Sequence, residues 1–372
     1  MKHLLQVLQG PIKMAILPIT PQNTTNIRKT KEMTRVRCTC GVLLSLPQGV
    51  STARCPRCYA TIVCPSNDGY YLPAANQYSN GYYHHQPPRP LPQLSPISMH
   101  GKKRAVLIGI SYQGLGSTVK GSVNDVRFMT HFLVNWLGFP NESLLVLTEE
   151  ERNPYLVPTK QNIRMAFRWL MEGCQSGDSL VFFYSGHGSQ VPDFNGEEVD
   201  GFDESLCPVD YHTEGKILDD EINATIVRPL PYGAKLHAII DACRSGTFLD
   251  LPFMCKMNKQ GNYVWQDHRI STAYKGTSGG TAICFSACDD NETSLDTTAF
   301  TSDVVTGALT YCFIEAVQNE RGLTYGRLLH SIRSKIRETQ KRLNGPNAPS
   351  TPQVPQLSSS EKFDINSKPF TI

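Results

Sequence analysis

Two short apolar runs, each cut off by a polar, glycine-bearing turn, constrain this chain more than any other feature. Residues 236–240 (LHAII) stop at Asp241 and open into Ala242, Cys243, Arg244, Ser245 and Gly246. Residues 179–184 (SLVFFY) stop in the same way at Ser185, Gly186, His187 and Gly188. Runs this short, with β-branched and aromatic residues and an abrupt polar end, read as strands of a buried parallel sheet. Cys243 and His187 then stand just past the carboxyl ends of their strands, the edge at which open α/β sheets bind ligands. A thiol and an imidazole on neighbouring strand ends form a nucleophile with its base. Taken singly, each has a blander reading. Cysteine is a common core residue, and the chain has 12 of them; a histidine between glycines is by default a turn residue. Two such turns on two such strands favour chemistry. The flanking glycines admit close backbone approach, with Gly246 permitting the turn after Cys243, and the amides of Gly188 and Cys243 are candidate donors to a developing oxyanion.

The same texture recurs from residue 102 onward. A strand at 104–110 precedes a turn, GSVNDV, that carries Asp125, and then Val123, Val126, Met129, Phe132, Leu133 and Trp136 recur at helical spacing. A second strand is predicted at 144–147. Thr159 caps a helix with Ile163, Phe167 and Leu170 on one face, stopped at Gly173 and Gly177. A further strand is predicted at 281–286, helices at 307–319 and 325–342, and a final edge strand within 352–365. Segment 251–280 carries few structural signals. Strands alternating with helices predict an α/β fold with a mostly parallel sheet covered by helices on both faces.

The 372 residues suffice for one large domain and a small module. A net charge of +3 makes no case for nucleic-acid binding. No apolar run approaches the roughly 20 residues of a membrane-spanning helix. Cys38, Cys40, Cys55 and Cys58 form a CxC and a CxxC pair, the pattern of a zinc ribbon in which four thiolates hold Zn²⁺ and replace a core; Cys64 is a substitute ligand. Such clustering fits a reducing compartment better than a disulfide framework. The organisation read from these features is a disordered leader at 1–33, a zinc-ribbon-like module at 34–66, a Pro/Tyr-rich disordered linker at 67–100 and a large domain at 101–372. An acid-rich block lies between the two reactive turns. It is not an EF-hand, because Glu198 stands where that loop requires glycine. Solvated loops and a shared cation remain the two readings of it.

YSGHG at 184–188, DACRSG at 241–246, DGFDE at 200–204 and FSACDDNE at 285–292 together resemble a plant type I metacaspase, a caspase-like cysteine peptidase. The resemblance extends from residue 103 to the C-terminus, and the cysteine segment resembles a zinc finger of the lesion-simulating-disease type. It implies a His187–Cys243 dyad that cleaves protein or peptide substrates after Arg or Lys through a thioester. Asp125 and Asp241 near the reactive edge give that preference a physical basis, since carboxylates pair with basic side chains and repel acidic ones. The resemblance adds Ser185 to this pocket and sets Ser122 where relatives often have cysteine. It implies calcium activation through Asp203, Asp219, Asp220 and Asp250. It further implies self-cleavage within 253–280, at Lys256, Lys259, Arg269 or Lys275, separating a large part (101–252) from a small one (281–372). A monomer in the cytoplasm or also the nucleus, acting in programmed cell death or stress responses with protein partners for the zinc finger, completes the expectation. Arg244 replaces the histidine many relatives carry after the nucleophile; its charge favours the thiolate. One rival reading is a weakly active adaptor working through the zinc finger and linker. Another, a legumain-like peptidase, requires an Asn-selective pocket and secretion.

Overall fold

The apolar runs predicted as strands beyond residue 100 all lie in one sheet. The computed structural model describes the strands at 33–37, 43–47, 52–54 and 61–63, and residues 101–372 apart from 117, 195, 197, 199, 258–261, 270–273, 289–295, 299, 302–303 and 345–352. The N-terminal strands belong to a unit of their own, Ile12–Ser95. In it β1 (Met33–Arg37) pairs antiparallel with β2 (Leu43–Pro47), and β3 (Thr52–Arg54) with β4 (Thr61–Val63). Cys38, Cys40, Cys55 and Cys58 fall in the two connections, outside the described residues.

The larger unit begins with β5 (Lys103–Gly109), β6 (Leu144–Thr148), β7 (Ser179–Ser185), β8 (Gly188–Pro192), β9 (Phe202–Leu206) and β10 (Ile217–Leu218). It continues with β11 (Lys235–Asp241), β12 (Phe253–Met257), β13 (Tyr263–Asp267), β14 (Thr281–Ser286), β15 (Asp296–Thr297), β16 (Thr306–Gly307) and β17 (Gln356–Ser359). The main sheet has the order β13-β12-β17-β14-β11-β7-β5-β6. From β14 to β6 all pairings are parallel; β17, β12 and β13 extend the sheet antiparallel.

The parallel strands are apolar on both sides because helices cover both. Ala105, Leu107, Val181, Phe183, Ile239 and Phe285 face a core shared with α1 (Ser122–Asn135), α3 (Ala308–Asn319) and α4 (Tyr325–Asn344), through Phe132, Phe313 and Leu329 among others. Val106, Ile108, Leu180, Phe182 and Ile240 alternate to the opposite face and meet α2 (Lys160–Met171) through Ile163, Phe167 and Leu170. Thr159 Oγ1 caps α2 by accepting from the Asn162 amide at 3.2 Å. Each fully buried phenylalanine contributes roughly 1.5–3 kcal/mol, so the two cores hold the strand ends rigidly in register. Since α1 and α2 leave β5 and β6 on opposite faces, the strand order reverses between β5 and β7. That reversal opens a crevice at the carboxyl edge.

Three expectations are corrected here. Asp125 lies in the first turn of α1, not in a preceding turn, because the helix starts at Ser122. β17 is interior, between β14 and β12; its sequence, QLSS, reads as an edge, yet Gln356, Ser358 and Ser359 are buried. Segment 251–280 contains the β12–β13 hairpin, and β13 forms the edge. Among the described residues no helix is long and apolar enough to cross a membrane.

Candidate active site

Register places the candidate residues side by side. Ser185, the last residue of β7, is paired with Asp241 on β11 and with Gly109 on β5. The turns that follow carry His187 and Cys243, and they abut: a Cβ on Gly188 would lie 2.0 Å from the carbonyl oxygen of Cys243. No other residue can stand at 188 without separating the two turns. Cys243 is half-buried. The left-handed residue of its turn is Arg244, with φ of 50°, and not Gly246. Arg244 donates from Nη1 to Gln190 Oε1 at 2.9 Å, which ties this turn to β8. Beneath it the Cys288 thiol donates to the Ala242 carbonyl at 3.3 Å, and burial pushes that thiol far above its ordinary range.

His187 is held by two tyrosines that the sequence did not single out. Its amide donates to Tyr112 Oη at 3.0 Å, and its carbonyl accepts from Tyr184 Oη at 2.7 Å and from the Cys207 amide at 3.3 Å. The imidazole stacks on the Tyr112 ring with centroids 4.4 Å apart and 30° between planes. Tyr112 donates its own hydroxyl to the Cys207 carbonyl at 2.6 Å, and burial raises both phenols well above their usual range. A Cβ on Gly186 would meet Tyr184 Oη at 2.7 Å, so Gly186 allows this cradle to close. Tyr184 appears in sequence as one more apolar strand residue, and Tyr112 as a loop residue with φ of 55°. Neither carries a local signal of its role.

Asp125 and Asp241 converge on Gly307, where a Cβ would lie 2.2 Å from Asp241 Oδ2 and 2.9 Å from Asp125 Oδ2. Both acids are buried. Asp125 accepts from Ser185 Oγ at 2.8 Å, from Thr306 Oγ1 at 2.5 Å and from the Gly307 amide at 2.9 Å. Asp241 accepts from the amide and hydroxyl of Thr310, at 2.8 and 2.7 Å, in the first turn of α3. A carboxylate there satisfies an otherwise orphaned helix amide and complements the helix dipole. Ser122 lies one turn before Asp125, fully buried, its hydroxyl without a hydrogen-bond partner among the described residues. Thr306, Gly307 and Thr310 are further residues that sequence reasoning missed, with Gly307 standing 182 positions from Asp125.

Residues 103–252, which include both reactive turns, match the family described as metacaspase, peptidase C14 domain. The chain is 48% identical to metacaspase-1 of Arabidopsis thaliana over 352 residues, covering 90% of this chain and 95% of that one. It belongs to the metacaspase family. Metacaspase-3 of the same plant is also 48% identical, over 91% of this chain and 98% of its own, and metacaspase-2 is 46% identical over 74% of each. The metacaspase is thus a cysteine-type endopeptidase.

The acidic block of this metacaspase surrounds a lysine. Asp203 on β9 is 5% exposed, and its Oδ1 is buried with no hydrogen-bond partner among the described residues. Burial first, then the charges of Asp220, Asp193 and Glu198, push its carboxyl up to about 6. Asp250 is also pushed up to about 6, by burial against the pull of Lys275. Buried Asp219 lies well above the carboxylate range for the same reason, with Glu204, Asp250 and Glu198 adding to it, although it accepts from the amides of Glu204 and Asp220 at 3.1 and 3.0 Å. Among the described residues no three His, Cys, Asp or Glu side chains are close enough together to hold a metal ion. Instead Lys275 Nζ lies 2.5 Å from Asp250 Oδ1 and 2.7 Å from Glu198 Oε1.

Proposed function

We propose that this metacaspase cleaves peptide bonds after Arg or Lys through His187 and Cys243, and that calcium activates it. The observation that carries the basic preference is the convergence of the Asp125 and Asp241 carboxylates beside the two reactive turns. Ser185 and Ser122 complete that pocket. Opposite charge would attract a guanidinium or ammonium group there and exclude an acidic side chain.

His187 takes the proton of Cys243, and the thiolate attacks the scissile carbonyl carbon. Negative charge develops on the carbonyl oxygen, towards which the amides of Gly188 and Cys243 donate. The C–N bond breaks as His187 returns its proton to the leaving amine, leaving a thioester on Cys243. His187 then accepts a proton from water as the water oxygen attacks the thioester; the C–S bond breaks, releasing a carboxylic acid and the thiolate. The tyrosine cradle supports this cycle by fixing the imidazole through its backbone and ring face.

Asp203, Asp219, Asp220 and Asp250 would hold the calcium ion. When bound it supplies positive charge that offsets their mutual repulsion, and Asp250 follows directly on the turn of Cys243, so that order at the one is coupled to the other. Self-processing within 253–280 belongs to the same reading. So does a role in programmed cell death or stress responses, and zinc held by Cys38, Cys40, Cys55 and Cys58.

Purified protein assayed with fluorogenic peptides ending in Arg, Lys, Asp or Asn, across a calcium titration, tests the proposal. Calcium-dependent hydrolysis of the Arg and Lys peptides, lost in Cys243→Ala, is the expected result. Preference for Asp or Asn would overturn the pocket assignment, and activity surviving in Cys243→Ala would overturn the nucleophile.

A further inference from the structure

Glu204 stands in the acid-rich block of the sequence, yet its side chain serves the nucleophile's turn. It is 1% exposed, and a carboxylate so deeply buried needs donors. Its Oε1 accepts from Gln190 Nε2 at 3.1 Å, across the β8–β9 pair in which the two residues stand opposite each other. Its Oε2 accepts from Thr247 Oγ1, which fixes the orientation of the carboxylate. Gln190 passes the interaction on, because its Oε1 accepts from Arg244 Nη1 at 2.9 Å.

The order of this chain cannot be reversed. A carboxylate only accepts hydrogen bonds and a guanidinium only donates them, so the amide between them must turn its NH2 to Glu204 and its carbonyl to Arg244. The acid end is buried and the guanidinium end exposed; Glu204 therefore holds Gln190, and Gln190 holds Arg244. What is held is a strained residue. Arg244 has φ of 50°, a conformation that a residue with a Cβ keeps only where its surroundings over-determine it. The same angle sets the plane of the peptide joining Cys243 to Arg244, whose carbonyl oxygen abuts Gly188. Gly188 opens β8 and Gln190 lies on the same strand, so the Gln190–Arg244 bond also fixes the spacing of the two backbones that carry the Gly188 and Cys243 amides.

We propose that Glu204 is a positioning residue for the peptidase reaction: through Gln190 it keeps Arg244 in the left-handed conformation, and so keeps the amides of Gly188 and Cys243 trained on one carbonyl oxygen. The proposal rests on the oxyanion assignment given above and adds to it the residues that maintain it. Arg244 then serves through its bond to Gln190, on a turn that its own backbone conformation shapes.

Glu204→Gln, assayed in the full chain with an Arg peptide and calcium, is the first test. The new amide can donate as well as accept, so Gln190 is no longer held in one orientation. We expect kcat to fall about tenfold or more while KM changes by less than about threefold. Alkylation of Cys243 by iodoacetamide is a displacement at carbon that develops no oxyanion; followed by mass spectrometry of the peptide bearing Cys243, its rate should stay within about threefold of the parent's. The route through Arg244 is tested with Arg244→Gly, since glycine adopts a φ of 50° without strain. In that background Glu204→Gln should lower kcat by less than about a further threefold. An unchanged kcat in Glu204→Gln, an equal loss in both backgrounds, or alkylation slowed as much as hydrolysis overturns the positioning role and leaves the dyad standing. Gln190→Ala cuts the chain at its middle, carries the same expectations and replaces Glu204→Gln if that variant does not fold. A parent enzyme that hydrolyses neither Arg nor Lys peptides overturns the proposed function, and the positioning role with it.

Discussion

Replacing Gly188 with alanine tests whether the abutting turns set the reaction geometry. The added Cβ would lie 2.0 Å from the Cys243 carbonyl oxygen and 3.4 Å from Ala242 Cβ, whereas real Cβ contacts essentially never fall below 3.0 Å. The obstructing atom is the backbone of the nucleophile's own turn, so no side-chain rotation relieves it. The turns must part by about 1 Å, and a misplacement of that size costs on the order of 100-fold in rate, or about 2.7 kcal/mol of barrier. The pocket acids lie on α1 and β11 and their donors on β7, β16 and α3, so substrate binding is spared. With an Arg peptide and calcium, kcat is expected to fall about 100-fold while KM changes by less than about threefold. Gly186→Ala is the milder companion, because there the added carbon meets the Tyr184 and Tyr112 hydroxyls and not backbone. A kcat for Gly188→Ala within about threefold of the parent enzyme would refute the reasoning.

Tyr112→Phe keeps the ring stacked on His187 but removes the acceptor for its amide, a loss of about 1–3 kcal/mol; kcat should drop about tenfold or more with KM unchanged, and an unaltered kcat would exclude the cradle from positioning the imidazole. Asp125→Asn should lower kcat/KM for Arg and Lys peptides by about 10- to 100-fold, the range for hydrogen bonds to a charged group, with denaturant unfolding run alongside to separate loss of fold from loss of charge. His237, fully buried with Nε2 2.7 Å from Tyr325 Oη, is held down to about 3 by burial and by Lys235 and Lys368. Because only the unfolded chain takes up that proton below pH 6.5, stability is lost as pH falls from about 6.5 towards 3. The loss reaches about 2 kcal/mol at pH 5, and urea unfolding of His237→Gln should lack it. Asp203 has the opposite sign, since its carboxyl is raised to about 6: it contributes stability that is lost as pH rises from about 4 through 6. Metal-free Asp203→Asn should therefore melt higher than the parent protein at pH 7, with the gap closing towards pH 4, and equal melting temperatures at pH 7 would contradict it.

What the sequence by itself determined is whatever is encoded locally. Parallel strands buried on both faces must be continuously apolar, so β5, β6, β7, β11 and β14 could be read directly, as could α2 from its cap and its apolar face. His187 and Cys243 stood out because each adjoins a strand end within its own short motif. The tertiary structure decided what depends on distant partners. The polar strand β17 was placed between β14 and β12, where its neighbours and not its composition bury it. Asp241 turned out to cap α3 through Thr310, 69 residues away. Tyr112 became a platform for His187, 75 residues away. Lys275 became the counter-charge of Glu198, 77 residues away. None of these contacts has a periodicity or a spacing to betray it, because a buried charge or donor is satisfied by whichever group the folded chain brings within about 3 Å.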